Sequence, residues 1–328
     1  AILIEENIFL LVPVHDQHIE VLLVASLLNK MYGATNLQQK NSIDLFGAIA
    51  LISLSALMGV NHVVIKVVNS GLNPVFFAGL RSIIAFLFLL IYFRLANIEL
   101  RFSREAIGIS LLAGLVFALE FLLLFIALDF TTVSRNSILY YSMPIWAAIL
   151  GHYLIPDDKL NALKSAGLMI AFTGVAIAIY FSKTSSDGGD IQLLGDFLAI
   201  HAAILWAILI YLAKATKFKK LEPEMQILWM LGVSGPILLL ASIFFGELIR
   251  DFEFLHVWGL LFQSIVIAAG CFLFWFWLVS IYPASGVASF SFLSPIFAIF
   301  FGWGLLGEIL DSTFLLAAFL VVLGLLCV

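Results

Sequence analysis

The sequence predicts an all-α membrane protein of ten transmembrane helices, arranged as two inverted five-helix repeats. Three observations lead there: a composition too apolar for water, ten apolar stretches of spanning length, and an internal echo at a spacing of about 150 residues. Of the 328 residues, 63% are hydrophobic and 11% charged, and the mean hydropathy is +1.14. A soluble domain keeps roughly a quarter of its residues charged, so the solvent of this chain is a bilayer. The net charge of −5 supplies no basic footprint for nucleic acid. Cys271 and Cys327 form no disulfide framework or metal spacing, and no cofactor is implied.

Residues 1–43 read as an N-terminal extension. Their apolar runs are short and broken by Glu5, Glu6, Pro13, Asp16 and Glu20, far from the roughly 20 residues a span needs. The first methionine, Met31, is the expected true start, and the apolar end at Val328 reads as truncated. From Asp44 onward the expected spans are 45–65, 75–93, 106–128, 133–154, 163–181, 193–212, 225–245, 255–279, 284–306 and 312–328. Each has the length that crosses the hydrocarbon as a helix. Helix is required because lipid satisfies no backbone donors or acceptors.

Orientation follows from lysine and arginine in the connections. One side carries eleven: Lys30, Lys40, Arg94, Arg101, Arg104, Lys159, Lys164, Lys214, Lys217, Lys219 and Lys220. The other carries four: Lys66, Arg135, Lys183 and Arg250. Both termini are therefore expected in the cytoplasm, with the chain in the inner membrane.

The polar stretch 183–192 links a first repeat, 44–182, to a second, 193–328. A shift of 151 brings Ser134 onto Ser285, Pro144 onto Pro295 and Asp157 onto Glu308. A shift of 148 brings Lys66 onto Lys214, and 149 brings Pro74 onto Pro223. Five spans per repeat is an odd number, so the second repeat lies upside down relative to the first. Inverted repeats place a site near the midplane and let the halves exchange conformations, a transporter architecture.

With the repeats aligned, the sequence from Asp44 onward resembles the drug/metabolite transporter superfamily, in particular its EamA-type members with ten spans. The first repeat carries Met58-Gly-Val-Asn-His-Val-Val-Ile-Lys66, then Asn73-Pro74 leading to Gly79-Leu80-Arg81. It continues through Ala127-Leu128-Asp129-Phe130-Thr131-Thr132-Val133-Ser134 to Met143-Pro144-Ile145-Trp146 and Pro156-Asp157-Asp158. The second echoes these in Trp206-Ala207, Tyr282-Pro283-Ala284-Ser285-Gly286, Leu293-Ser294-Pro295 and Leu306-Gly307-Glu308. Met58 stands where such proteins commonly have Trp, and Pro156-Asp157 where they often have Gly-Glu. The resemblance implies a secondary transporter, often an exporter of amino acids or other small metabolites.

Pro144 and Pro295 each fall about eleven residues into their spans. Proline lacks the amide donor and clashes with the carbonyl four residues back. That frees the carbonyls of Tyr140 and Ser291 for a ligand or a polar neighbour, and the symmetric placement suggests a shared hinge. Arg81 and Glu120 are the ionisable residues, histidines apart, well inside spans. They lie roughly 9 and 12 Å below the same edge at 1.5 Å per residue, so a contact between them is expected. Charge at such depth marks a functional site by default. Arg81 is long enough to reach the interface instead; Glu120 is not, and reads as a substrate or proton site or as the structural partner of Arg81. At the 151 shift the second repeat has Cys271 for Glu120 and Gly232 for Arg81.

Further substrate-site candidates are His62, near the outer end of the first span, and His201, roughly 12 Å into the sixth. A lone histidine in a bundle is more often simply hydrogen-bonded. Asn61 and Trp206 are candidates for lining a cavity. Trp275 shares a helix face with Phe272 and Phe276, rings that hold an aromatic or cationic solute or merely pack. Gly167, Ala171 and Gly174 in the fifth span argue for close helix packing or a dimer seam.

The expected function is therefore a carrier. Its expected partners are a small-molecule substrate and the bilayer, with proton coupling through Glu120, as a monomer or a homodimer. An intramembrane enzyme would need a catalytic constellation, and the sequence holds no HExxH, GxSxG or Walker A motif. A sensor or assembly subunit would carry a soluble appendage, whereas the connections between the expected spans run to no more than twelve residues.

Overall fold

The computed structural model describes residues 40, 42–101, 103–154, 160–180, 189–282, 287, 290 and 292–327. Helices α1 (Leu45–Gly71), α2 (Pro74–Leu95) and α3 (Ile107–Phe130) open the first repeat. Its fourth span is two pieces, α4 (Val133–Tyr140) and α5 (Met143–Leu154), and α6 (Ala162–Tyr180) closes it. In the second repeat α7 (Gly189–Ala215) and α8 (Pro223–Ser242) are continuous. The eighth span runs through α9 (Phe254–Leu261), a π-helical segment (Phe262–Cys271) and α10 (Phe272–Ile281). Then follow α11 (Leu293–Leu306) and α12 (Ser312–Leu325).

The helix starts are written in the polar residues between apolar runs. Asp44 caps α1 through the Gly47 amide at 2.8 Å, Asn73 caps α2 ahead of Pro74, and Asp311 caps α12 through the Phe314 amide at 2.6 Å. Each satisfies amides that a helix N-terminus leaves orphaned. Asp44 also takes the Lys40 ammonium and the Tyr282 hydroxyl, which hold its carboxyl below the usual carboxylate range.

Two expectations are corrected. The first span does not stop at 65 but runs to Gly71. Lys66 does not mark a helix end, because its ammonium donates to the Leu128 and Thr131 carbonyls at 2.9 and 2.7 Å. A lysine that caps the C-terminus of a neighbouring helix stays inside its own. Nor does Pro144 kink a continuous span. It is the second residue of α5, after a break at Tyr141–Ser142, where a missing amide is one of the orphans anyway. Pro295 likewise lies in the first turn of α11.

The halves pack on each other. Helix α2 lies against α8, α4 against α11 and α6 against α12, each facing its counterpart in the other repeat. The remaining contacts come in exchanged pairs: α1 on α11 mirrors α7 on α4 and α5, and α3 on α8 mirrors α2 on the π segment. That is the pattern of a pseudo-twofold axis between inverted repeats. Large apolar side chains such as Ile91, Leu115, Phe197, Leu240 and Phe319 are exposed, the surface a bilayer covers.

The small residues of the fifth span meet α12 of the same chain. A Cβ on Gly174 would lie 2.7 Å from the Ala317 carbonyl oxygen, and one on Gly324 would lie 2.5 Å from both the Ala171 amide and the Gly167 carbonyl oxygen. Helix packing, rather than a seam between copies, occupies this stripe.

Candidate substrate site between the repeats

The site is built around α4. All eight residues of Val133–Tyr140 are buried, four of them Ser134, Arg135, Asn136 and Ser137. Burying so polar a helix in lipid requires partners, and those of Ser134 and Arg135 come from the second repeat. Gly307 ends α11 with φ +66, a left-handed turn that glycine tolerates, and the next residue, Glu308, reaches the N-terminus of α4. Its carboxylate accepts from the Val133 amide (2.6 Å), the Ser134 amide (2.9 Å) and the Ser134 hydroxyl (2.5 Å). A carboxylate is favoured there by both the free amides and the helix dipole. Arg135 forms a buried ion pair with Asp196 of α7, which also accepts from the Thr131 hydroxyl at 2.8 Å. Arg250 holds Asp129 at 2.9 and 3.0 Å and the Asn69 carbonyl at 2.9 Å. Together with Lys66, these bonds join both repeats at one end of the bundle, here the Lys66 end.

Deeper in lies a polar and aromatic cluster. His62 Nδ1 is 3.2 Å from Asn136 Nδ2, and its ring stacks on Tyr141 at 5.3 Å and 10°. The Tyr140 hydroxyl donates to Glu120 at 2.6 Å, and its ring stacks on Trp206 at 4.9 Å. Gln263, in the π segment, donates to the backbone and side-chain oxygens of Asn61 at 3.0 and 2.7 Å. π-Helical insertions recur at functional sites. From the bounds of α1, α2 and α3, residues His62, Arg81 and Glu120 lie ~10–15 Å below the Lys66 end. Arg81 is 1% exposed. Its guanidinium rests 4.1 Å from the Phe121 ring centroid and 5.7 Å from that of Phe125, and its Nε and Nη1 have no hydrogen-bond partner.

The structure thus brings together Asn61, His62, Arg81, Glu120, Tyr140 and Trp206. Arg81 does not reach the interface, because its head is buried. The expected contact between Arg81 and Glu120 does not form: Glu120 turns to Tyr140, and Arg81 to the phenylalanine rings. Tyr140 enters through its hydroxyl. His201 is a correction. It is exposed on α7, with Nδ1 2.7 Å from the carbonyl of Phe197 one turn back, and leaves the set. Trp275 is half-buried and packs on the cluster of Ala50, Leu51, Leu54 and Tyr282. Ser291 lies outside the described residues, as do residues 183–188 of the linker and all of the extension up to 39.

Sequence reasoning missed Asn136, Tyr141 and Gln263, and took Arg135 for a connection residue. The signal was available: uncharged polar side chains inside spans carry the same burden of satisfaction as charges. Arg135 misled because it lies one turn past a loop, yet folds inward to Asp196.

Ten spans in two inverted repeats, with a broken helix whose polar face is buried at their junction, define a multi-pass membrane transporter of the inverted-repeat class. Residues 45–180 and 193–328 each match the EamA-like transporter family, and the chain belongs to it. It is 28% identical over 282 residues to the uncharacterized transporter YoaV of Bacillus subtilis, covering 84% of this chain and 94% of that protein. It is 26% identical over 295 residues to the probable amino-acid metabolite efflux pump of Escherichia coli, covering 85% and 93%. A solved crystal structure shares the fold at TM-score 0.60 and 14% identity, over 84% of this chain and 94% of its own.

Proposed function

We propose that the protein is a secondary carrier that exports a small organic metabolite, an amino acid or a related amine or drug-like solute, across the inner membrane by alternating access. The observation that carries this reading is the cluster of buried His62, Glu120 and Tyr140 with half-buried Trp206, contributed by both repeats at mid-depth. The name of the Escherichia coli relative supports the amino-acid class. The lysine and arginine bias puts both termini in the cytoplasm, so the Lys66 end faces outward. The bonds of Glu308, Asp196 and Arg250 to the first repeat then close the outer mouth, and export requires them to part. The half-helices beginning near Pro144 and Pro295 are the elements that rock.

Glu120 is the proton site. It is the carboxylate of the cluster, and its Tyr140 partner can follow a change in its protonation. The test is uptake into proteoliposomes across amino acids and small amines, with and without a pH gradient. The Glu120→Gln variant should lose the stimulation by the gradient and fall roughly tenfold or more in rate, the worth of a hydrogen bond to a charged group. An undiminished rate with the parent pH profile would exclude proton coupling there.

A further inference from the structure

We infer that the transported solute carries a carboxylate and that Arg81 is the residue that receives it. This rests on the carrier reading and narrows it: the amines and cationic drug-like solutes fall away, and carboxylate-bearing metabolites remain.

A guanidinium has five donors and keeps its charge. Nearly all buried polar groups in folded proteins are hydrogen-bonded, and a buried charge is ordinarily paired. Arg81 is 1% exposed, yet Nε and Nη1 have no partner. The stack on Phe121 steadies the plane of the head without occupying its N–H groups. Among the described residues no acidic group is in ion-pair contact with it, since Glu120, the residue before Phe121, is engaged by Tyr140. Next to Arg81 on α2, the Ser82 hydroxyl is also buried and unpartnered. A fixed planar fork with free donors is the geometry that binds a carboxylate through two parallel bonds.

Charge selects among anions. Arg81 offers one positive charge, and Glu120 is near enough to act on it electrostatically. A monovalent carboxylate balances Arg81, whereas a phosphate dianion would bring its second charge toward Glu120. In an α-amino acid the ammonium would face Glu120 and the rings of Tyr140 and Trp206, which accept a cation. Neither Met230, its counterpart when Pro74 is laid on Pro223, nor Gly232, its counterpart at the 151 shift, carries a charge, so the pseudo-twofold offers a single such receptor.

The experiment uses the full chain and matched solutes that differ at the carboxyl: phenylalanine, phenylalaninamide, phenethylamine and hydrocinnamate, the corresponding leucine set, and inorganic phosphate. Thermal shift in detergent reads binding, and counterflow in proteoliposomes reads transport. The acids should stabilise and exchange, with the amides and amines weaker by about tenfold to a hundredfold, the range for one charged hydrogen-bonded contact. Arg81→Gln should erase that preference and Arg81→Lys should keep it at lower affinity. Arg81→Met should leave the Tm of the ligand-free protein unchanged or higher, because it removes an unpaired buried charge. A fall in its Tm would assign Arg81 to the fold instead. Amides and amines exchanging as well as acids, with no effect of Arg81→Gln, would overturn the carboxylate while leaving the carrier standing. Competition by phosphate equal to that of the acids would replace carboxylate by phosphate ester. No exchange of any solute by the parent protein would remove the carrier reading and this inference together.

Discussion

Replacing Asp196 by alanine should lower the apparent Tm in detergent by on the order of 10 °C, the equivalent of several kcal/mol in a chain of this size. The carboxylate is 1% exposed and paired with an Arg135 side chain that is 5% exposed. It is also the acceptor for Thr131. Removing one member of a buried pair strips the other of a charge partner in a desolvated place, which costs about 3–5 kcal/mol. The double change Arg135→Met with Asp196→Leu should recover much of the loss, less the Thr131 bond, since apolar side chains of similar volume replace buried pairs without penalty. If the single and double variants melted alike, the pair would be holding the repeats together by geometry rather than by charge compensation. Neutralising the exposed pair of Lys220 and Glu105, 3.9 Å apart, should change the melt little, as surface pairs do.

Gly324→Leu should be at least as damaging, with about 3 kcal/mol or more lost and little monodisperse protein recovered. Its Cβ would meet the backbone of α6, at the Ala171 amide and the Gly167 carbonyl oxygen, both 2.5 Å away. A flexible side chain can yield to an added carbon; the backbone of a neighbouring helix yields only if α6 and α12 separate. Gly108→Leu is the matched control, because nothing lies within 4 Å of a Cβ there. Equal yields and melting for the two variants, measured by size-exclusion chromatography and thermal unfolding, would show that the α6–α12 crossing is looser than its geometry.

Much of the fold was legible because the bilayer imposes simple rules. Length, apolarity and the positions of Asp44, Asn73, Pro223 and Asp311 locate helix starts without knowledge of any neighbour. The repeat was legible because Pro144, Pro295, Ser134 and Ser285 keep a common spacing. The exceptions are instructive. Lys66 read as a helix end because a charge beside an apolar run ordinarily marks the interface, and only the carbonyls of Leu128 and Thr131 explain why it stays inside α1. His201 and His62 look alike in sequence, each a lone histidine in a span. One faces outward and bonds its own helix, while the other is buried against Asn136 and Tyr141.

Composition and periodicity, taken alone, settled that this chain crosses a membrane as helices and that its two halves are copies of opposite sense, because solvent quality and an odd span count act on the chain segment by segment. Which polar groups meet was decided in three dimensions. That α4 lies buried, that Glu308 of one repeat caps it in the other, and that Arg81 faces rings instead of Glu120 all depend on rotation of each helix about its axis. That rotation is set by packing across the pseudo-twofold, and no local pattern encodes it.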